Sequence, residues 1–377
     1  MLLDPMLRTS GDSTSAWYGR WCNRGRRRAT VPPYRSGAHR HTDASRTVRR
    51  YARRPMPELP DVELYLHALR RRVVGRTLLR VKLLTPFLLR SVAPPIGAVA
   101  GRRIVAVERL GKRIVFELAA ALAPTGGQCE PLFLVLHLMI AGRLQWADAG
   151  GKAKAGRHVL AHFEIGSVGD PGNEAAAPAT LTLTEAGTKK RAALHVVAGR
   201  AALAAHDPGG IDPLSADRAA FRAALTRENH TIKRALTDPR ALSGIGNAYS
   251  DEILWRAQLS PYLWTERLDD AQLARLHDAT RATLTEWRDR LIAETGEQWP
   301  AKVTAFRPEM AVHGRYGEPC PTCQAPVQRI VRADHETNYC ARCQTGGKVL
   351  ADRALSQLLK DDWPRTLEEW EALKGGG

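Results

Sequence analysis

The segment PELPDVELYLHALRRRVVG, residues 57–75, marks the point where ordered structure is expected to begin. Its apolar side chains recur at helical spacing and so fall on one face of a helix: Val62, Tyr65, Leu66, Leu69 and Val73. Gly75 occupies the position just beyond the last turn, where glycine is favoured. The segment therefore predicts an amphipathic helix that packs on a core formed by the chain after it.

Short segments with strand character follow this helix, and no helical pattern interrupts them. They are Thr77–Leu84, Arg103–Val107, Arg113–Leu118, Leu132–Leu138, Ala161–Ile165, Thr180–Thr184 and Ala192–Val197. Strands at this spacing predict an antiparallel sandwich or barrel.

Beyond the strands, the apolar period becomes helical from about Ser215 to Thr295, after a hinge near Pro208-Gly209-Gly210. Leu350–Leu359 predicts one more helix in the tail. The expected fold class is therefore α+β and multidomain. Its parts are a basic extension (1–55), an N-terminal β-sandwich domain (56–205), a helical domain (211–300), a cysteine module (310–346) and a tail (347–377).

Charge separates residues 1–55 from the rest of the 377-residue chain. The chain carries 56 Lys+Arg against 39 Asp+Glu, a net charge of +17. Residues 1–55 contain 13 Arg, no Lys and three Asp, a net of +10, and 17 − 10 leaves +7 for the remainder. This balance predicts an anionic partner, with nucleic acid first and an acidic membrane surface second. No apolar run approaches the roughly 18 residues of a membrane span, and six cysteines are too few for a disulfide-stapled secreted scaffold.

Residues 1–55 show neither helical nor strand periodicity. Arginine runs such as Arg26–Arg28, among Ser, Thr, Gly and Pro, predict a disordered extension. An arginine-rich, acid-poor start is also typical of an organelle transit peptide. A third interpretation places the true start of translation downstream of this extension.

The motifs Cys320-x-x-Cys323 and Cys340-x-x-Cys343 are the most specific chemical signal in the chain. Each CxxC turn presents two thiolates, so two turns separated by 16 residues can complete a closed tetrahedral site. Four sulfur ligands leave no position for water, which predicts one structural Zn²⁺ ion. The alternative is two coincidental redox pairs.

The stretch between the cysteine pairs predicts a hairpin. Val327–Val331 alternates like a strand, and residues 334–338 are expected to form its turn, which a metal-stiffened ribbon could present to a DNA groove. Cys22 and Cys129 have no cysteine nearby in sequence and are not expected to be ligands.

Residues 242–254, LSGIGNAYSDEIL, carry the second signal. Gly244 and Gly246 allow a tight backbone turn, and Asn247 is the predicted N-cap of the helix that follows. Unpaired amides at a helix start can bind phosphate, and Lys233 is placed to assist. The alternative is an ordinary helix–turn–helix corner with a capping Asn.

Three motifs now occur in a characteristic order: Pro57-Glu58-Leu59-Pro60 before a helix, the turn Gly244–Asn247, and a terminal Cys₄ ribbon that ends Cys343-Gln344. In this the chain resembles the bacterial formamidopyrimidine-DNA glycosylase and endonuclease VIII family of base-excision repair enzymes. The resemblance covers about residues 56–346, and the PELP opening is closer to the formamidopyrimidine branch. It implies double-stranded DNA bound in a groove between a β-sandwich domain and a helical domain joined to the ribbon.

The resemblance also implies a mechanism. The N-terminal proline of the family is the nucleophile, here Pro57, and attacks C1′ of a damaged nucleotide to form a Schiff base. Glu58 would be the general acid–base. Lys112 matches a lysine that contacts phosphate and donates a proton during elimination. Lys233 and Asn247 would hold the phosphates beside the extruded nucleotide.

Pro57 conflicts with this mechanism in a chain that starts at Met1, because its nitrogen is then a tertiary amide without a nucleophilic lone pair. Translation from Met56 followed by removal of that Met would free the amine. We therefore expect residues 1–55 to be an artefact of start assignment, with cleavage after Met56 as the alternative.

Several positions depart from the family pattern. His335 stands where the ribbon usually has a phosphate-binding Arg, and Arg332 is a possible substitute. Ile140 aligns with the Met that fills the space left by the flipped base, and Met139 lies beside it. His158 is a further candidate DNA contact.

The loop that meets the opposite base also differs. The family's Asp-Pro-Arg-Arg-Phe-Gly is replaced by residues 185–192, EAGTKKRA, which lack the aromatic side chain. Lys190 or Arg191 could replace the family's Arg, and the alternative is a basic loop that only touches phosphate. Trp299–Met310 lies where the family's base-covering loop would be, but is shorter than a long purine-recognition loop.

Two functions from different classes remain open. The first is a bifunctional glycosylase and abasic-site lyase that removes oxidised bases, and the second is a non-catalytic zinc-containing protein that binds damaged or bent DNA. In either case we expect a monomer with no membrane partner, in the bacterial cytoplasm and associated with the nucleoid. A zinc protein acting on RNA has little support, since no aromatic stacking platform is evident.

Overall fold

The computed structural model describes residues 56–120, 130–166, 178–187, 189–332, 335–351, 356–357, 359–360 and 363–375. At Arg332, His335 and positions 374–375 it describes only the backbone. The predictions for residues 1–55, including Cys22, and for Cys129 fall outside these ranges. Among the helices described, none is both long enough and apolar enough to cross a lipid bilayer.

Helix α1 (Leu59–Val73) begins directly after Glu58 and confirms the helix predicted from residues 57–75. Each of the five apolar residues predicted to share a face is at most 1% exposed. Leu59 and Leu64 are buried as well, so the buried face is wider than the predicted stripe. The helix ends as predicted, because Gly75 adopts φ +85, a left-handed conformation that suits glycine.

Eight strands form one antiparallel sheet in the order β5-β7-β6-β1-β2-β3-β4-β8. They are β1 (Thr77–Leu83), β2 (Arg102–Leu110), β3 (Arg113–Leu118), β4 (Leu132–His137), β5 (Gly142–Ala147), β6 (Val159–Ile165), β7 (Ala179–Glu185) and β8 (Ala193–Ala198). Only a short pairing, Thr77↔Arg103 and Leu78↔Arg102, joins β1 to β2. The sheet therefore divides there into two four-stranded halves.

Side chains from both halves of the sheet and from α1 share one apolar core, which confirms the predicted antiparallel sandwich. Phe116 of β3 stacks on Phe163 of β6, with ring centroids 6.5 Å apart. The strand β5 was missing from the prediction, because only Gly142 and Leu144 of its six residues are buried. A strand with so little buried apolar surface gives a weak alternating pattern.

The helical part consists of a short α2 and four further helices. They are α2 (Gly199–Ala204), α3 (Arg218–Thr226), α4 (Ile232–Thr237), α5 (Asn247–Arg256) and α6 (Asp270–Thr295). Most apolar residues of α3 to α6 meet in a second core. Near its end α6 also reaches the sandwich core, where Leu291 is buried. One long helix thus contributes to both cores.

The cysteine module forms a two-stranded hairpin, β9 (Gln328–Arg332) and β10 (His335–Tyr339), followed by α7 (Ala341–Thr345). The predicted first strand is confirmed, but residues 335–339 pair with it as a second strand instead of forming the turn. In the tail, the predicted helix Leu350–Leu359 falls partly outside the described ranges. A helix that was not predicted, α8 (Leu367–Gly375), inserts Leu367 into the ribbon core.

Candidate functional site

Glu58 lies where the β-sandwich meets the helical part of the chain. Its carboxylate is 2% exposed and accepts three backbone hydrogen bonds from the start of α5. The donors are Gly246 N (2.7 Å), Ala248 N (2.9 Å) and Tyr249 N (3.2 Å). Pro57, the preceding residue, is buried too. A carboxylate at a helix N-terminus satisfies amides that the helix cannot pair internally.

The prediction that Asn247 caps this helix is wrong. Gly246 is the N-cap and Asn247 is the first helical residue, with no capping bond from a side chain. The Glu58 carboxylate takes the amides that a capping residue would take, so Asn247 is released for another role. Its Nδ2 donates to the carbonyl of Glu336 at 2.7 Å and ties α5 to the zinc hairpin.

Lys112 joins this corner from the turn between β2 and β3. Burial lowers the pKa of its ammonium group, and the nearby Glu58 carboxylate opposes that shift. Space here is so limited that a Cβ at Gly246 would lie 2.5 Å from Glu58 Cδ and 2.6 Å from Lys112 Nζ. Glycine at position 246 therefore allows Glu58 and Lys112 to approach the backbone closely. Glu58, Lys112 and the α5 N-terminus form what we call the Glu58 corner.

A buried ion pair between Asp61 and Arg307 adjoins the Glu58 corner and contacts it through the Glu58 backbone amide. Glu58 N donates to Asp61 Oδ2 at 3.0 Å, and Arg307 Nη2 donates to Asp61 Oδ1 at 3.0 Å. Burial raises the pKa of Asp61 to about 6, although the charge of Arg307 and the bond from Glu58 pull it down. Arg307 belongs to the connection after α6, so this pair links that connection to the start of α1, 246 positions away.

Lys233 is not an isolated cation. Its Nζ donates to Asp251 Oδ1 and, at 3.2 Å, to Ser250 Oγ. His313 Nδ1 lies 2.8 Å from the other Asp251 oxygen. Burial lowers the pKa of His313, but the hydrogen bond and charge of Asp251 outweigh burial and the net shift is upward. Buried Asp251 thus contacts both Lys233 and His313, and Lys233 keeps only limited exposure.

Glu252, the next residue, fastens α5 to the segment before the ribbon. Its carboxylate accepts from Ala311 N (2.7 Å), Val312 N (2.9 Å) and His313 N (2.9 Å). Asn338 N of β10 donates to Asp251 Oδ2 at 3.1 Å. The sequence LSGIGNAYSDEIL therefore anchors both the β-sandwich, through Glu58, and the ribbon, through its two acidic residues.

Ile140 lies in the turn between β4 and β5 and is 39% exposed. Met139 beside it is half-buried and adopts φ 52, in the region that favours glycine. The turn is tight because Gly142 N donates to Leu138 O, and a Cβ at Gly142 would meet that same oxygen. Of the two apolar candidates, Ile140 is therefore the one displayed on the surface.

Lys190, Arg191 and His158 gather around Glu185 at the end of β7. Lys190 Nζ donates to the Glu185 carbonyl, and Arg191 N donates to its carboxylate at 2.9 Å. His158 O accepts from Glu185 N at 2.8 Å. Arg191 is exposed, while Lys190 and His158 are half-buried. These three residues form a second group, apart from the Glu58 corner in their contacts. The side chains of His335 and Arg332 lie outside the described part of the structure.

The four cysteine thiols of the ribbon converge. Their sulfur atoms all lie within 4.8 Å of one another, and Cys320 and Cys340 are buried. Trp255 Nε1 of α5 donates to Cys320 Sγ at 3.4 Å, an outer contact that orients this ligand. Such a closed sulfur set fits one structural zinc ion.

The stretch Trp299–Met310 packs back onto the β-sandwich at its start. Trp299 stacks on Trp146 with centroids 6.0 Å apart, and its Nε1 donates to Leu144 O at 3.1 Å. Arg307 holds the other end through Asp61. The connection is thus anchored at two points.

Sequence reasoning missed Asp61, Arg307 and His313 as members of this network. Asp61 could have been found, because an acid three residues after Glu58 in a first helical turn suggests reciprocal capping. Nothing local marks Arg307, whose partner is 246 positions away. His313 stands in an unremarkable loop, and only its approach to Asp251 shows its importance.

Comparisons with known families agree with this architecture. Residues 56–176 match the formamidopyrimidine-DNA glycosylase N-terminal domain, residues 210–288 the formamidopyrimidine-DNA glycosylase H2TH domain, and residues 317–346 a zinc finger found in FPG and IleRS. A formamidopyrimidine-DNA glycosylase of Heliobacterium modesticaldum is 30% identical over 306 residues, covering 77% of this chain and 100% of that protein. An uncharacterized formamidopyrimidine-DNA glycosylase-like protein of Mycobacterium tuberculosis is 40% identical over 153 residues, covering 41% of this chain and 93% of its own length.

Solved structures share the fold. The complex of Lactococcus lactis Fpg with DNA containing an abasic site superposes with a TM-score of 0.61 at 24% identity, covering 76% of this chain and 99% of that one. A complex of MutM with DNA containing carbocyclic 8-oxo-G gives 0.61 at 23% identity, covering 77% and 100%. Together with the three matched domains, these similarities confirm the resemblance drawn from the PELP, Gly244–Asn247 and Cys₄ motifs.

Proposed function

Because the chain belongs to the formamidopyrimidine-DNA glycosylase family, we propose that it is a bifunctional DNA glycosylase and abasic-site lyase. Its substrate is double-stranded DNA with oxidised bases, chiefly purines such as formamidopyrimidine or 8-oxoguanine. The observation that carries the proposal is the Glu58 corner, where the buried Glu58 carboxylate, the half-buried Lys112 and the N-terminus of α5 meet beside Pro57.

The chemistry begins at the Pro57 nitrogen. As a secondary amine it forms a bond to C1′ while the bond from C1′ to the base breaks; the nitrogen loses its proton and the departing base takes up a proton. The C1′–O4′ bond then opens as O4′ receives a proton, which leaves an iminium between Pro57 and the sugar. Loss of a C2′ proton expels the 3′ phosphate and nicks the strand, and a second elimination would release the 5′ phosphate.

Glu58 and Lys112 divide the proton transfers. Glu58 adjoins the nucleophile and serves as the acid–base for O4′. The lowered pKa of Lys112 supports a role in proton donation during elimination, because a desolvated ammonium releases its proton more readily. The three amides that donate to Glu58 fix the position of its carboxylate relative to α5.

An active protein requires that Pro57 be the first residue. We propose that translation from Met56 and removal of that Met generate this form, with cleavage after Met56 as the other route. N-terminal sequencing of the protein from its native cell checks this step. A terminus at Pro57 is expected, and a Met1-derived terminus on active protein would contradict it.

DNA is held by residues on both sides of the corner. Ile140, exposed at its turn, is the proposed wedge that fills the space of the flipped base. Lys233, oriented by Asp251, and Asn247 contact flanking phosphates, and His335 contributes a further one from the ribbon. Lys190, Arg191 and His158 face the duplex around Glu185. We propose a monomer that acts in the bacterial cytoplasm at the nucleoid.

One observation favours a second function. In the uncleaved chain the Pro57 nitrogen is an amide, and Glu58 is engaged as an acceptor of three hydrogen bonds. Such a chain would be a non-catalytic protein that binds damaged or bent DNA on the same scaffold.

Borohydride trapping decides between the two. Protein begun at Met56, with removal of Met confirmed by mass, is mixed with duplex that contains an abasic site and then reduced. We expect a covalent adduct with this protein and none with the chain begun at Met1, in which the Pro57 nitrogen is an amide. Tight DNA binding without an adduct would exclude the lyase and leave the binding protein.

A further inference from the structure

A second basic cluster lies on the outer face of the β-sandwich, next to the Glu58 corner. In the sheet, Arg113 pairs with His137, and Val135 pairs with His195. Because side chains two residues apart on one strand share a face, Arg113, His137 and His195 all point to the same side. Val135 and its neighbours on this face pack under α2. The three basic side chains therefore lie at the open end of a small apolar patch.

His206, just after α2, completes the cluster. Its ring meets the His195 ring edge-on, with centroids 4.7 Å apart. Arg113 Nη1 donates to the carbonyl of His206 at 2.8 Å, which fixes the position of that residue. His195, His206 and Arg113 are each half-buried, so they retain an accessible side.

The charges around these imidazoles are mainly positive. Burial lowers the pKa of His195, and His206, Arg113 and Arg90 lower it further. Burial and Arg113 lower the pKa of His206. Burial lowers the pKa of His137 to about 4, helped by Arg113, Lys112 and His195. The carboxylate of Asp207 acts on Arg113 in the opposite sense.

Burial and the neighbouring cations disfavour the charged form of both imidazoles, and an anion bound between them would favour that form. Arg113, the first residue of β3, directly follows Lys112 of the turn, so the cluster adjoins the proposed reacting centre. We propose that Arg113, His195 and His206 bind a phosphodiester of the DNA backbone, and that the two histidines take up protons when they do so. This inference rests on the proposed function only for the identity of the polyanion.

Proton uptake on binding determines the direction in which DNA affinity changes with pH. A phosphate between the rings favours the charged imidazoles, so the bound state holds more protons than the free state near pH 6 to 7. Affinity must then rise as the pH falls, by up to about tenfold per proton for each pH unit. Above about pH 8 both imidazoles are neutral in both states, and the pH dependence should vanish.

The experiment measures the affinity of the full chain for a duplex with a tetrahydrofuran abasic analogue, by fluorescence anisotropy from pH 5.5 to 8.5 at constant salt. We expect the wild type to bind more tightly at pH 6 than at pH 8.5, by about tenfold or more. His195→Gln with His206→Gln should remove most of this slope and leave affinity at pH 8.5 nearly unchanged. His230→Gln, which alters a half-buried histidine paired with Glu228, is the matched control and should keep the slope.

A second measurement protects against a variant that fails to fold. The ring resonances of His195 and His206 in the wild type are titrated with and without the duplex, and DNA should shift both titrations to higher pH. Unchanged titrations, or a slope that is equal in wild type and double variant, would overturn the proposal. If protein begun at Met56 gives a normal borohydride adduct but the full chain shows no proton linkage, only this site is refuted. If the full chain shows proton-linked binding but protein begun at Met56 gives no adduct, the site is retained and the lyase is refuted.

Discussion

The zinc ribbon and the Glu58 corner are both held by a few polar atoms, but they differ in how far apart those atoms lie in the chain. Cys320 and Cys343 are 23 positions apart, and the two CxxC motifs within that span supply all four ligands. Glu58 reaches Gly246 across 188 positions. The ribbon can therefore form locally once its metal binds, whereas the corner exists only when the β-sandwich and the helical part have already met.

Metal removal should have the largest effect and should separate the two regions. Structural zinc contributes on the order of 10–16 kcal/mol in zinc-finger peptides, and the ribbon core is small. We expect Cys340→Ser, or chelation, to unfold residues 317–346 while the β-sandwich remains folded. Hydrogen exchange with mass spectrometry measures both regions in one experiment.

Zinc content and restoration of protection on adding Zn²⁺ are the controls for that prediction. Two hydrogen bonds join the ribbon to α5: Asn247 of α5 donates to the Glu336 carbonyl, and Asn338 of the ribbon donates to Asp251 of α5. Some loss of protection in α5 is therefore expected. Equal loss of hydrogen-exchange protection in the β-sandwich would mean that the two regions unfold as one cooperative unit. That result would contradict local folding of the ribbon.

Arg307→Met should break the Glu58 corner and spare the ribbon. It leaves Asp61 buried without its cation, and loss of one partner of a buried pair costs about 3–5 kcal/mol. Arg256→Met, which removes an exposed pair with Glu286, should cost less than about 1 kcal/mol. Urea unfolding at pH 7 measures the difference between the two variants, and equal losses would show that the Asp61–Arg307 pair stabilises little.

The same pair makes a pH prediction for the wild type. The pKa of Asp61 is raised from 3.8 to about 6, so between those values the folded state holds a proton that the unfolded state lacks. Its contribution to stability is present at low pH and is lost as the pH rises towards 6 and beyond. Asp61→Asn should remove this component from the pH profile of the unfolding free energy.

The contrast also explains what the sequence alone could predict. The Cys₄ site and the α1 face follow from spacing over a few turns, and the structure agrees with both. Asn247 was assigned as a cap because its own sequence neighbourhood favours one, yet Glu58 arrives from a distant segment and takes its place. Arg307 and His313 became visible only through partners far away in the chain. Spacing along the sequence predicts sites whose residues are close in the chain. It does not predict contacts between residues that are far apart in the chain.

Gly246→Ala tests the Glu58 corner most directly. Its effect on the free energy of unfolding should be smaller than the effects of Cys340→Ser and Arg307→Met. The added Cβ would lie 2.5 Å from Glu58 Cδ and 2.6 Å from Lys112 Nζ. Both atoms end flexible side chains and can move aside, so overpacking should cost only about 1–3 kcal/mol. Moving them displaces the proposed acid–base and proton donor from Pro57, and a shift of about 1 Å in a reacting group can cost roughly 100-fold in rate.

Single-turnover trapping on abasic DNA measures the rate, and urea unfolding measures the stability of the same variant. Gly97→Ala is the matched control, because a Cβ there meets nothing within 4 Å. We expect Gly97→Ala to trap at the wild-type rate and Gly246→Ala to trap about 100-fold more slowly while it remains folded. If Gly246→Ala traps normally, Glu58 and Lys112 need not hold their observed positions during the reaction. Glu58 would then be a structural tie between α1 and α5, and proton transfer would have to be assigned to other groups.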